Sequence, residues 1–269
     1  MAEVHKNTVV FGGAGKTGRR VADRLSARGW PVRLASRSTQ VPFDWTDEGT
    51  WSRALAGANL AYLTYFPDLA IPGAADAVRR FTRAAASSGV EKLVLLAGRG
   101  EPQVHPAEQA VRDSGIAFTI LECAFFNQNF NEGLLAPVDG VIAFPATHVG
   151  EPLLDCDDVA DVAVAALIDD AHAGQTYELT GPRVLTFEQA TSMLAEASGQ
   201  PLRYQPMSFE AYASVLAPYL PPEQVAFTID LFRWVLDGHN ASVSDGVERV
   251  LGRKPKEFAA FVRDALRAA

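Results

Sequence analysis

The run Thr8-Val9-Val10-Phe11 leading into Gly12-Gly13-Ala14-Gly15-Lys16-Thr17-Gly18 constrains this chain more than any other stretch. An apolar strand that meets a glycine-rich turn and then a helix builds an anion site. The first glycine permits the tight turn, the second lets backbone approach a pyrophosphate, and the third lets the helix pack on the strand with its N-terminus aimed at the charge. Gly12, Gly15 and Gly18 are spaced by three, a variant of the commoner dinucleotide fingerprint, and Val21, Ala22 and Leu25 continue at helical spacing. Strand, turn and helix are therefore all present, with Lys16 and Thr17 inside the turn that would hold the phosphates.

Downstream, apolar strand-like runs alternate with helical patterns, which predicts an α/β fold: a Rossmann-type, doubly wound parallel sheet. Val32–Ser36, Leu60–Tyr65, Lys92–Ala97, Phe118–Leu121 and Tyr177–Thr180 read as strands, and Ala74–Ala86 reads as a helix stopped by Gly89. Beyond Gly181-Pro182 the character becomes helical, so the chain divides into a dinucleotide-binding domain over 1–180 and a smaller, mostly helical substrate lobe over 181–269. With 269 residues and 48% hydrophobic content, both parts can build a core.

The second strand ends in Ser36-Arg37-Ser38. A site for NAD places an acid here to hold the ribose 2′-hydroxyl, whereas Arg37 suits a 2′-phosphate, so NADPH is the expected cofactor. The stretch Phe43-Asp44-Trp45, with Asp44 on the cofactor, is expected at the edge of the adenine pocket. Ligands of such sheets gather at the carboxyl ends of the strands. Thr64, Tyr65, Phe66 and Pro67 stand at one of these ends, and Ala97, Gly98 and Arg99 at another.

A net charge of −8 with no basic block argues against nucleic acid as a partner. No apolar run is long enough to cross a bilayer, and Met1–Lys6 carries no apolar leader, so no membrane partner and a cytoplasmic location are expected. Cys123 and Cys156 lack metal-ligand or disulfide spacing and read as buried thiols, with no metal expected.

Several motifs together resemble the NmrA-like, atypical short-chain dehydrogenases. They are the glycine turn, Leu95-Leu96-Ala97-Gly98-Arg99-Gly100-Glu101, Phe118–Leu121 followed by Phe125-Phe126-Asn127-Gln128-Asn129, Asp155-Cys156-Asp157-Asp158-Val159-Ala160, and Tyr177-Glu178-Leu179-Thr180-Gly181-Pro182. Within that group, Pro42–Trp45, Tyr65–Leu69 and Gly98–Glu101 are most similar to bacterial relatives of the ergot-alkaloid clavine dehydrogenases. The resemblance implies reduction of a C=N or conjugated bond by NADPH. It also implies that the run from Cys123 to Phe130 passes the nicotinamide, with Cys123 on the cofactor and Phe126 and Asn127, together with Tyr65 and Phe66, on the substrate.

One departure from the wider superfamily bears on the chemistry. Ordinary short-chain dehydrogenases carry Tyr and Lys four residues apart after the fourth strand, the lysine lowering the tyrosine pKa for proton donation. Here His105 and Gln109 fall at those places. His105 is the candidate catalytic acid, since a histidine can donate a proton near neutral pH, yet Gln109 cannot tune it. An iminium acceptor would need no acid at all, because it loses its positive charge on accepting hydride. Glu122 stands where relatives usually have arginine, and either reshapes the nicotinamide side or pairs with a basic neighbour.

In the C-terminal lobe, Thr186 with Gln189 forms a capping box, Asp157 reads as the N-cap of the preceding helix, and the turn Asp237–Asn240 brings His239 forward as a candidate substrate contact. Two functions are consistent with these residues. One is an NADPH-dependent reductase of a small cyclic iminium, enone or quinone-type substrate, acting as a monomer or homodimer. The other is a redox sensor that binds NAD(P) without turnover.

Overall fold

The computed structural model describes residues 5–268, so Met1–Val4, part of the stretch read for a leader, lie outside the described residues. Seven strands form one parallel sheet: β1 (Thr8–Phe11), β2 (Val32–Ser36), β3 (Val41–Pro42), β4 (Leu60–Leu63), β5 (Lys92–Gly98), β6 (Ala117–Cys123) and, later in the chain, β9 (Gln175–Leu179). Their spatial order is β3-β2-β1-β4-β5-β6-β9. The order reverses between β1 and β4, which is the switch point where a doubly wound sheet opens a crevice at its carboxyl edge.

The helices of this sheet are α1 (Lys16–Ala27), the short α2 (Trp51–Leu55), α3 (Ala74–Ser87), α4 (His105–Arg112), α5 (Cys156–Ile168) and the late α9 (Gly246–Leu251). α1 packs with α5, and α3 with α4. β1, β4 and most of β5 are buried residue by residue, as strands covered on both faces must be. Their apolar side chains merge with an aromatic group of Phe11, Phe43, Trp45, Trp51 and Phe81, with ring centroids 4.6–6.5 Å apart. Fully burying one such ring contributes roughly 1.5–3 kcal/mol.

The remaining elements are β7 (Val141–Phe144), β8 (Gly150–Glu151), β10 (Leu185–Thr186), α6 (Phe187–Ser198), β11 (Arg203–Pro206), α7 (Phe209–Leu216), α8 (Pro222–Val235) and α10 (Phe258–Ala268). β11 pairs with β7 in parallel and β10 with β8 antiparallel. Phe130, Phe144, Phe187, Tyr212, Phe232 and Phe258 form the centre of the core here, and Phe125 packs against it. The two small sheets are absent from the sequence reading because two- and four-residue strands leave no periodicity to detect.

By contact the chain forms two compact units, the first holding residues up to Cys123, Cys156–Leu179 and Gly246–Arg253, and the second holding Ala124–Asp155, Thr180–Asp245 and the residues from Lys254 onward. The single boundary expected at 180/181 thus becomes a chain that passes from unit to unit several times. Among the described residues no helix is long and apolar enough to cross a membrane.

Local signals fare well. Thr186 caps α6 with both capping-box bonds present, Gly199 ends it with φ +66°, and Ser208 caps α7. Asp157 is a correction: it lies inside the first turn of α5 instead of before it, and its carboxylate accepts from Arg24 at 2.9 Å. Acids in a first helical turn are favoured by the helix dipole as well as at the cap, so the sequence pattern fits both positions.

Candidate functional site

The glycine turn is built as its spacing requires. Gly12 adopts φ +72°, a left-handed conformation that glycine reaches without steric cost, and its N–H donates to Ala35 O at 2.9 Å. Gly15 donates to Gly12 O at 2.8 Å and serves as the N-cap of α1, where no side chain makes a capping bond to the helix start. A Cβ on Gly18 would come within 2.3 Å of Gly12 O, so this glycine is required for turn and helix to close. A Cβ on Gly15 would meet Gly12 O at 3.1 Å and otherwise open space, as expected of a cradle shaped for something outside the protein. Lys16 and Thr17 open α1, and Thr17 is buried.

A cavity of about 390 Å³ extends from this turn to the ends of β2 and β4. Gly12 and Gly15 line it on one side, Ser36, Arg37 and Asp44 on the other, and Thr64, Tyr65 and Phe66 along the wall. Eight of the sequence-derived site residues therefore share one cavity, joined by Phe43 and Trp45 of the stretch expected at the adenine edge, by Pro67, and by Ala14, Ser38 and Thr46. Arg37 is exposed, its guanidinium 4.4 Å from the centroid of the Phe66 ring. Asp44 accepts from the backbone N–H and the hydroxyl of Thr46, both at 2.8 Å. Those bonds, helped by nearby Arg37, hold its carboxyl below the usual aspartate range. The Trp45 indole donates to Thr64 O at 3.1 Å and its ring lies 4.6 Å from that of Tyr65, which fixes the wall. Burial raises the Tyr65 phenol above its ordinary value.

These features fit a 2′-phosphorylated dinucleotide. Gly12 to Gly15 and the start of α1 would take its pyrophosphate, Arg37 a 2′-phosphate, and the aromatic wall an adenosine.

The end of β5 differs in kind. Ala97 is buried, and Arg99 is buried and paired with Glu178 at 2.7 Å. Gly98 faces the carboxyl of Glu101: a Cβ there would fall 2.0 Å from Glu101 Oε1. Glu101 is 9% exposed, and burial together with the carboxylate of Asp68 pushes it up to about 8. Burial also raises Asp68, although Ala70 N–H donates to it at 2.8 Å. Glu122, half-buried on β6, rises to about 7 through burial and the neighbouring Glu108 and Glu178, against the opposing pull of Arg112. The surroundings of Glu122 thus hold one basic group, Arg112, and two acidic ones, Glu108 and Glu178. The sequence reading gave Glu101 and Asp68 no role. The signal in the sequence is the run Gly98–Glu101, where a glycine and a glutamate three residues apart belong to one turn.

Cys123 and Cys156 are buried thiols outside any disulfide, and burial holds the Cys123 thiol well above its usual range. His105 is exposed as the first residue of α4, and Gln109 donates to Asp113 at 2.7 Å. In the second unit, Phe126 is half-buried. Asn127 is fully buried, with neither amide atom of its side chain meeting a partner among the described residues. His239 is exposed, pairs with Asp237, and lies 5.5 Å from the Trp234 ring.

No family model matches the chain. It is 32% identical to a (4-alkanoyl-5-oxo-2,5-dihydrofuran-3-yl)methyl phosphate reductase of Streptomyces griseus, over 93% of this chain and 94% of that protein. It is 27% identical to an agroclavine dehydrogenase of Claviceps fusiformis, over 95% of this chain and 96% of that one. Among solved structures its fold is similar to the Citrobacter triphenylmethane reductase complexed with NADP(H), with a TM-score of 0.74 and 21% identity over 96% of this chain and 99% of the other.

Proposed function

The chain belongs to the NmrA-like, atypical branch of the short-chain dehydrogenases, and from that premise we propose that it is an NADPH-dependent oxidoreductase whose acceptor is a small cyclic iminium, enone or quinone-type molecule. The single observation that carries the cofactor half is the cavity that joins the Gly12–Gly15 turn to Arg37, with no acid at the end of β2. The acceptor half is supported by relatives named as reductase and dehydrogenase, one of them acting on an oxo-dihydrofuran and another on agroclavine.

NADPH, when bound, supplies the hydride. The protein's part is to hold and orient. Backbone N–H groups of the glycine turn and the start of α1 bind the pyrophosphate, Arg37 pairs with the 2′-phosphate, and Trp45, Tyr65 and Phe66 form the apolar wall. Positioning of this kind can supply much of the rate when the acceptor already carries positive charge, since such an acceptor is neutralised by hydride and needs no proton.

The test is a cofactor titration followed by NADPH oxidation against a panel of quinones, enones and cyclic iminium ions. The expected result is tighter binding of NADPH than of NADH and turnover with at least one acceptor class. Tighter binding of oxidised cofactor, with no turnover on any acceptor, would favour the sensor reading that the missing Tyr and Lys also suit.

A further inference from the structure

We propose that the carboxyl group of Glu101 is the proton donor of this site, delivering its proton to the carbonyl oxygen of a quinone or enone acceptor while hydride reaches the acceptor carbon. The inference rests on the reductase reading above and assigns to a named atom the proton that reading leaves unplaced.

Three observations support it. Glu101 stands in the turn after β5, at the carboxyl edge of the sheet beside the β1/β4 switch point where ligands of such folds collect. Its side chain folds back over the end of the strand into the space left by Gly98, where any Cβ would collide with both carboxyl oxygens. And it is more than nine-tenths buried with no hydrogen-bond donor or cation on its carboxyl among the described residues.

The charged group facing it is Asp68, from the turn after β4. Arg99, two residues away, is engaged with Glu178. A buried carboxyl opposite another carboxyl and without a cation keeps its proton at neutral pH, because ionising it would set two like charges together in a poorly solvated place. An acid held this way can donate. His105, four residues on, is exposed and has no such setting.

The step balances. The O–H bond of Glu101 breaks as an O–H bond forms on the acceptor oxygen. The acceptor gains a hydride and a proton, NADPH leaves as NADP⁺, and the Glu101 carboxylate takes a proton back from water before the next turnover.

The decisive comparison is Glu101→Gln, which preserves size and neutrality but has no acidic proton, assayed on a quinone and on a cyclic iminium ion. On the quinone kcat should fall by about 10²- to 10⁴-fold, while the dissociation constant for NADPH and the rate on the iminium stay within about threefold. In the unmodified protein kcat on the quinone should decline above about pH 8. Asp68→Asn should move that decline to lower pH, since removing the facing charge makes Glu101 easier to ionise. Independently of activity, infrared titration without cofactor should reveal a protonated carboxyl at pH 7 that is missing from Glu101→Gln.

Retention of quinone turnover by Glu101→Gln, or an infrared titration unchanged by it, overturns the proposal and leaves the reductase reading intact. Turnover of iminium ions alone by the unmodified protein, or an equal loss on both acceptors, overturns it too, the latter because the carboxylate would then be an anchor for cations. Absence of turnover with every acceptor removes the reductase reading and the proposal with it.

Discussion

Two strand ends of the same sheet, after β1 and after β5, have opposite chemistry. The first offers backbone: Gly12, Gly15 and the start of α1 present N–H groups and no side chain, so the local field favours an anion. The second offers carboxyls: Glu101 lies over Gly98 and faces Asp68, so the local field disfavours a further negative charge. Glycine is required at both ends for different reasons. Gly15 leaves room for an outside group, whereas Gly98 leaves room for a side chain of the protein itself. A substitution that fills each space therefore distinguishes the two.

The largest expected effect is at the first end. Gly15→Val should lower NADPH affinity by more than about a hundredfold, because its Cβ enters the space of the phosphates. Its melting temperature should stay near that of the unmodified protein, since within the protein its Cβ meets only Gly12 O, at 3.1 Å. Titration calorimetry and thermal melting together read both quantities, and unchanged affinity would locate the phosphates elsewhere. Gly18→Val is the control: with Gly12 O only 2.3 Å from its Cβ it should fail to fold stably.

Next in size is the preference between cofactors. Arg37→Asp should reverse a preference for NADPH, an effect of about tenfold to a hundredfold in the ratio of dissociation constants, corresponding to roughly 1–3 kcal/mol for a charge-assisted contact. Equal constants for NADPH and NADH in the unmodified protein would remove Arg37 from this role. Phe66→Ala, which takes away the ring beneath the guanidinium, should shift the same ratio by only about twofold to fivefold, as expected of an exposed cation–π contact.

The second end should show itself in stability. Glu101 and Glu122 hold their protons more tightly in the folded chain, up to about 8 and about 7, than the ordinary value of 4.5. The folded state thus binds more protons than the unfolded state across that interval. The stability these groups confer is fully present below pH 4.5 and is lost as pH rises towards 8. Melting temperatures of the unmodified protein, compared with those of Glu101→Gln between pH 5 and pH 8, should fall more steeply with rising pH. Parallel curves would mean that Glu101 is already ionised at pH 5.

The smallest effect is expected at His105, whose replacement by alanine should change kcat by less than about threefold on a cyclic iminium, which needs no proton. A loss above about a hundredfold there would make His105 catalytic.

The two ends also differ in what the sequence disclosed. The first was legible because three glycines at fixed spacing between a strand and a helix have few other uses, and Arg37 could be located by counting to the end of β2. The second was not, because a single glutamate in a turn carries no periodicity, and its properties arise from Asp68, more than thirty residues earlier and brought near only by the pairing of β4 with β5. Asp157 illustrates a related limit: the sequence marks a helix start there, yet the partners Arg20 and Arg24 that hold its carboxylate come from α1, more than 130 residues earlier in the chain. The aromatic group beneath the cavity was half visible as Phe43-Asp44-Trp45, while Phe11, Trp51 and Phe81 joined it only through packing.

The division of the chain has a consequence for synthesis. β6 has two neighbours in the finished sheet, β5 before it and β9 after it, and the whole of Ala124–Asp155 and then α5 are made between β6 and β9. During translation the growing chain therefore carries an open strand edge at Ala117–Cys123 until some fifty further residues have left the ribosome. An unpaired edge is a template for a second nascent chain, and the separation between β6 and β9 is the largest between neighbouring strands of this sheet, so this edge waits longest for its partner.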